Sequence, residues 1–426
     1  MKKVFKLFIS VARANLFITL VLFVPGGSSY GQGNLSLDNG VFNLAQHDFE
    51  ASHASLSGHW FFFPEKLLNT DQCLNHPHFE LLVPGLWNET LPAKEGKGYG
   101  TYFLQLVVPE TTDSWALYIP QLYNSYTLWI NDSLVASAGE VGKTKEATIP
   151  QWRPQVAVFN PKTDTLNLVL HIANFHHFKG GIREPLYFGK VSGIQSDYNL
   201  SITGTLIACL FLFSLSIIFL IYYFRHPRKN ITAAYSMLCL CWAIRSMFSN
   251  LYPVTISLPD FDWDMLVRIE YFSLYLIMIF SVMLLNQLFQ ELGSAVFNSI
   301  MILVNLLFFL FTLVSEPAAF TRWLPLYLAT AVLVIVYGLV IVFRALIHEK
   351  KGSWPLIGGM CMMILLTGYE IIAYKGLLGS NQFLSSIGFI VLFTCLTVGV
   401  LQYLGILKTD ASGSELTYND LYKKDK

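Results

Sequence analysis

Charge is what this chain has least of. Lys, Arg, Asp and Glu make up only 13% of its 426 residues, where a soluble globular protein carries about 25%. The 28 basic and 28 acidic residues cancel, so the basic excess of a nucleic-acid-binding protein is missing and nucleic acid is not an expected partner. Cysteine is scarce as well. Of the six, Cys73 alone precedes residue 199, which excludes a disulfide framework in that stretch. Cys209, Cys239, Cys241, Cys361 and Cys395 fall in apolar runs, where a thiol behaves as a small hydrophobe. Neither a His-Glu-x-x-His zinc pattern, a G-x-S-x-G elbow nor a phosphate-binding glycine loop occurs. No cofactor, no metal and no catalytic residue is therefore expected.

Apolar residues are abundant, at 54%, and unevenly placed. The sequence divides into residues 1–32, 33–195, 196–407 and 408–426. In the first segment Lys2, Lys3, Lys6 and Arg13 precede the apolar "ANLFITLVLFV", and Ser29 and Gly31 come after it as small residues. This is the pattern of a secretory signal; the alternative is a retained first membrane helix. Either would export residues 33–195. The third segment holds seven apolar runs near 200–224, 231–251, 265–289, 295–314, 323–347, 355–374 and 382–407. Each suffices for a bilayer core of about 30 Å. "RHPRKN", "HEKKGSWP" and Lys408 lie in alternate loops, and such loops mark the inner side. An odd number of spans then leaves residues 33–195 outside and the C-terminus inside.

Ionisable residues inside spans are costly and are functional candidates by default. Arg245, Arg268, Glu270 and Glu370 all fall in the outer third of their spans; Arg245 sits about 21 Å up its helix. Arg268 and Glu270 are two residues apart and do not face each other. Each is expected to seek a partner on another span, Arg245 with Glu270 or Arg268 with Glu370, in one interhelical charge relay. Snorkelling to the interface is the alternative. "DFDWD" at 260–264 fails as a calcium loop, because Met265 and Tyr271 occupy the glycine and glutamate positions. It is expected to form a polar outer loop within reach of the exported domain.

Between 99 and 190, "TYFLQLVV", "WALYI", "YTLWIN", "LVASA" and "TLNLVLHIAN" read as strands, with Asn131 and Asp132 in a hairpin turn. Strands without intervening helical patterns indicate a β-sandwich. The runs "GYGTYFLQLVVP", "WALYIPQLYNSYTLWINDSLVASAGEVG" and "LNLVLHIANFHHFKGGI" resemble the jelly-roll, galactose-binding-like module found beside glycosidase domains. With "LSGHWFFFPEKLL" and seven following spans, the chain more specifically resembles the bacterial seven-transmembrane receptors with diverse intracellular signalling modules. It departs from the module at Asp132, where glycine is common. The resemblance implies a periplasmic sensor for a small molecule, with carbohydrate the class it suggests. It also implies a helix bundle in the inner membrane that relays binding inward. Trp60, Trp87, Tyr99, Trp129 and Trp152, with Asn124, Asn131 and Asn174, would suit sugar faces and hydroxyls. They would equally suit a sandwich core.

"NFHHFKGGIREPLYFGK" at 174–190 concentrates polar groups. Adjacent histidines at a strand end point apart, which disfavours zinc at His176 and His177, and "HPH" at 76–78 lacks a cysteine partner. Gly180 and Gly181 permit a tight return. The expected ligand-facing set is Trp152, Arg153, Asn174, His176, His177, Lys179 and Arg183, with Trp152 exposed on a loop between prolines. After the last span only "KTDASGSELTYNDLYKKDK" remains, too short for an effector module, so a separate cytoplasmic signalling protein is the expected partner. A non-enzymatic receptor is the favoured function. A transporter or permease is the alternative; midplane sites on broken helices would favour it. A membrane-bound carbohydrate enzyme would need two close carboxylates.

Overall fold

The structure is a computed structural model that describes residues 41–91, 95–109, 114–227, 229–374 and 381–407. The expected signal at 1–32 and tail at 408–426 lie outside the described residues.

Apolar and aromatic residues alternating with polar ones build the N-terminal part as two facing sheets, with a small third sheet of Gly85–Leu86, Gly181–Ile182 and Leu122–Tyr123. The larger runs in the order Ser133–Ala138, Ser125–Ile130, Thr165–Asn174, Gly98–Val107, Gly58–Pro64 and Phe79–Val83. Val41–Asn43 pairs in parallel with Gly98–Val107. The smaller runs Gln155–Phe159, Trp115–Ile119, Tyr187–Lys190 and Ala54–Ser55. Inward residues of both sheets, among them Trp60, Leu104, Leu128, Leu168, Leu117 and Phe188, share one buried cluster. This is the β-sandwich expected from the strand pattern, and the hairpin turns where predicted. Asn131 and Asp132 both take positive φ (47° and 63°), a conformation these residues tolerate, and Ser133 pairs with Ile130.

Seven long helices come next: α1 Val191–Arg225, α2 Asn230–Met247, α3 Trp263–Leu288, α4 Ala295–Val314, α5 Leu324–Ile347, α6 Ser353–Tyr374 and α7 Gln382–Tyr403. They coincide with the seven predicted spans. Five of them, α1, α3, α4, α5 and α7, are long and apolar enough to cross a membrane. Helix α2 has 18 residues and contains Arg245, which lowers its average.

Helix α1 starts directly after the strand Tyr187–Lys190. Its 35 residues span about 52 Å at 1.5 Å per residue, longer than a bilayer core of about 30 Å. Ile194, in its second turn, packs in a buried cluster with Ala116 and Tyr187. A continuous rod therefore joins sheet to bundle without a flexible linker.

Candidate functional site at the junction of sandwich and helices

The turn after Thr165–Asn174 is organised by one buried amide. Asn174 Nδ2 donates to the carbonyls of Gly96 (2.5 Å), His177 (2.9 Å) and Lys179 (2.8 Å). Its Oδ1 accepts from His177 N–H (3.1 Å) and from Asn124 Nδ2 (2.9 Å). The chain approaches itself closely here. A Cβ on Gly180 would lie 2.0 Å from the Gly96 carbonyl oxygen, and Gly181 has φ +97°, so both glycines of the predicted return are required by space or conformation.

The two histidines diverge. His177 is buried, stacked on Tyr123 (centroids 4.7 Å apart, planes at 13°) and edge-on to Trp152. Its Nδ1 accepts from Lys179 N–H at 2.9 Å. Burial pushes its pKa down to about 3, because a buried imidazolium loses its hydration, and the ring is neutral. His176 turns the other way and donates to the carbonyls of Lys145 and Thr148, each at 3.1 Å. Lys179 is half-buried, and burial, then Arg183, lowers its pKa.

Trp152 overturns an expectation. It is 3% exposed rather than displayed on a loop. Its Nε1 donates to Asn124 Oδ1 at 2.8 Å, and its ring meets Tyr123, His177, Tyr252 and Trp263. The last two belong to the helical part, so the cover over Trp152 comes from about 100 residues further along the chain. Leu86, Tyr123 and Trp152 share one buried cluster with Tyr252, Trp263, Val267 and Phe320. Around it, Phe178 N–H donates to Thr321 Oγ1 (3.2 Å), Gln151 Nε2 to the Pro259 carbonyl (2.8 Å) and Lys145 Nζ to Glu316 (2.8 Å). Arg322 lies over the Phe178 ring. Thus Trp152, Asn174, His176 and His177 are brought together, but as the face that docks on the bundle. Arg153 stands apart, half-buried. The outer loop does touch the sandwich, as expected from "DFDWD"; within it Asp262 caps α3 by accepting from Met265 N–H (2.9 Å).

The four charges expected to form one relay do not. Arg245 pairs with Glu270, as one of the two trial pairings had it: its Nη1 donates to the Glu270 carbonyl (3.0 Å) and its Nη2 lies 4.0 Å from Oε1. Tyr252 Oη then reaches both Glu270 Oε2 and Gln121 Oε1 at 3.2 Å. Arg268 instead pairs with Asp264 one turn earlier and donates to the carbonyls of Thr312, Leu313 and Ser315 at the end of α4. The reason is electrostatic: unpaired carbonyls make a helix C-terminus a partial negative charge. Glu370 accepts from Ser385 Oγ at 2.6 Å and faces elsewhere.

Glu370 lines a cleft between the sandwich edge and the helix ends. The sandwich wall includes Tyr118, Gln121, Arg183, Glu184 and Tyr187; the helical wall includes Asp197, Tyr198, Asn250, Glu370 and Gln382. Arg183 Nε lies 3.6 Å from Glu184 Oε1. At one end His53, buried against Gly189 and Gly193, holds Asp197 at 3.1 Å. Of the cleft residues only Arg183 and Glu370 were nominated from sequence. His53 and Asp197 are 144 positions apart, and no local signal links them. Tyr118, Tyr187 and Tyr198 read locally as strand or helix-start aromatics.

Residues 200–403 match the family model described as 7TM diverse intracellular signalling. No curated protein matches the chain. Among solved structures, similarity is found to a GH2 β-galacturonidase from Eisenbergiella tayi bound to glycerol (14% identity, 33% of this chain, 24% of that one, TM-score 0.25). It is also found to a β-glucuronidase from Faecalibacterium prausnitzii (14%, 32% and 31%, TM-score 0.25). A third is a β-glucuronidase from Ruminococcus gnavus in complex with D-glucaro 1,5-lactone (13%, 32% and 28%, TM-score 0.26). The chain thus spans less than a third of the length of these structures, and at these scores the likeness carries no functional weight.

Proposed function

From a chain whose residues 200–403 are a membrane module of the 7TM diverse intracellular signalling family, we propose a non-enzymatic receptor. The sandwich faces the periplasm and senses a small molecule, with carbohydrate the leading class. The helices carry the event across the inner membrane to a separate cytoplasmic protein.

One observation carries this reading: sandwich and bundle share a buried aromatic cluster centred on Trp152. A polar chain, Gln121–Tyr252–Glu270–Arg245, runs from the sandwich onto α2 and α3. A ligand shifts an equilibrium only by its differential affinity for two states, and a rigid, shared interface transmits such a difference where a flexible tether would not. The orientation is supported by Arg225, Lys229, Arg344, Lys350 and Lys351, which lie at the helix ends away from the sandwich. The test is hydrogen exchange on the full chain in nanodiscs, with and without monosaccharides. Altered protection in α2 and α3 on ligand addition supports the receptor. Ligand accumulation inside proteoliposomes would assign a permease instead.

A further inference from the structure

The junction cleft has the makings of a binding site. Its two walls come from the two parts that a receptor must couple, so any occupant touches both. Tyr118 stacks near-parallel to Tyr187 (6.5 Å, 28°) and is tilted against Tyr198 (5.9 Å, 44°), giving an apolar aromatic floor. Around it stand the side-chain amides of Gln121, Asn250 and Gln382 and the carboxylates of Glu184, Asp197 and Glu370. Such planar groups accept pairs of hydroxyl hydrogens, while ring faces suit the C–H face of a polyol.

Charge narrows the class. Three carboxylates face one guanidinium, Arg183, which lies beside Glu184, and the imidazole of His53 is held by Asp197. The cleft therefore carries a negative excess and disfavours anions. Its cavity volume is about 90 Å³, room for several water molecules, so it accepts one small molecule rather than a glycan chain.

We infer that this cleft, and not the turn at 174–183, binds a small polyhydroxylated molecule that is neutral or carries an amine. Glu370 on the helical wall and Arg183 with Tyr187 on the sandwich wall engage it together. The consequence for signalling rests on the receptor reading; the binding itself does not.

The experiment measures binding of D-glucosamine, D-glucose and D-glucuronate to the full chain in nanodiscs by intrinsic fluorescence. The expected order is glucosamine first, glucose second and glucuronate weakest by at least about tenfold. E370Q, at an exposed position, should weaken glucosamine about tenfold and close the gap to glucuronate. Glu291→Gln removes a carboxylate outside the cleft, one that pairs with Lys350, and should bind normally, which separates a general loss of charge or folding from loss of recognition. Tightest binding by glucuronate, no binding by any of the three, or affinities untouched by E370Q would overturn the cleft. Sugar binding indifferent to E370Q leaves the receptor reading standing, with its ligand elsewhere. E370Q-sensitive uptake into proteoliposomes would keep the cleft and remove the receptor.

Discussion

Tyr252, in the loop between α2 and α3, places its hydroxyl 3.2 Å from Gln121 Oε1 of the sandwich. The same oxygen lies 3.2 Å from Glu270 Oε2, and Glu270 pairs with Arg245. The tyrosine is thus the polar hinge-pin between a cleft-lining glutamine and the charge pair at the head of the bundle. Removing only the oxygen isolates its role, because the ring packs on Trp152 at 5.4 Å and stays. Tyr252→Phe should cost about 1 kcal/mol of stability, the worth of one hydrogen bond, while leaving ligand affinity near normal. Hydrogen exchange in α3 should then cease to respond to ligand. An unchanged response would show that the aromatic cluster alone does the coupling.

Trp152 separates packing from hydrogen bonding. Its indole Nε1 satisfies Asn124, and its ring is the central contact between sandwich and helices. Trp152→Phe retains much of the apolar contact and leaves the Asn124 oxygen short of a donor, a loss of about 1–3 kcal/mol. Trp152→Ala opens a cavity on top of that, about 3–5 kcal/mol in total. The two variants should differ in more than melting temperature. Only the alanine variant should make the outer loop around residues 258–262 accessible to protease in detergent, since Gln151 and Trp263 are then no longer held in place.

His177 makes the sandwich acid-sensitive. Its pKa is about 3 in the folded protein and near 6.5 when unfolded. Between those values the unfolded chain binds the proton and the folded one does not, so stability rises with pH across the window and is lost as pH falls. The slope from this one group approaches about 1.4 kcal/mol per pH unit. His171, whose pKa burial also lowers, adds in the same direction. His177→Gln should flatten the dependence of the unfolding midpoint between pH 6.5 and 3, and His171→Gln should flatten it less. A profile unchanged by both substitutions would place the acid sensitivity in carboxylates.

Local pattern dictated the features that were legible in the sequence. Seven apolar runs became seven long helices, alternation at Thr165–Asn174 became a central strand, and Asn131–Asp132 became the turn. Gly180 and Gly181 marked the tight return because no side chain fits there. The misreadings share one cause, contact between segments far apart in the chain. Trp152 between prolines looks like an exposed loop until Tyr252 and Trp263 cover it. Arg268 looked for a carboxylate on another span, whereas Asp264 lay one turn away on its own helix and the carbonyls ending α4 supplied the rest. His53 meets Asp197 only because it directly precedes the strand Ala54–Ser55, which pairs with Tyr187–Lys190 just before α1 begins. No spacing rule spans 144 residues.

Arg268 and Glu370, paired in expectation, should therefore separate in experiment. Arg268 is half-buried and donates to the carbonyls of Thr312, Leu313 and Ser315, with its ring-facing side over Phe320. Arg268→Ala leaves those acceptors without a donor in a water-poor layer, at about 1–3 kcal/mol, and exposes Asp264 to the same loss. Arg268→Lys keeps the charge but not the planar fork, and should recover only part. Glu370 is exposed and accepts one hydrogen bond from Ser385, so Glu370→Ala should change stability by less than about 0.5 kcal/mol. Thermal unfolding in detergent distinguishes the two positions. Hydrogen exchange should rise at residues 309–316 in the Arg268 variants alone, because a helix end that loses its cap frays first. Equal destabilisation by both alanine variants would mean that the two charges do act as one unit after all.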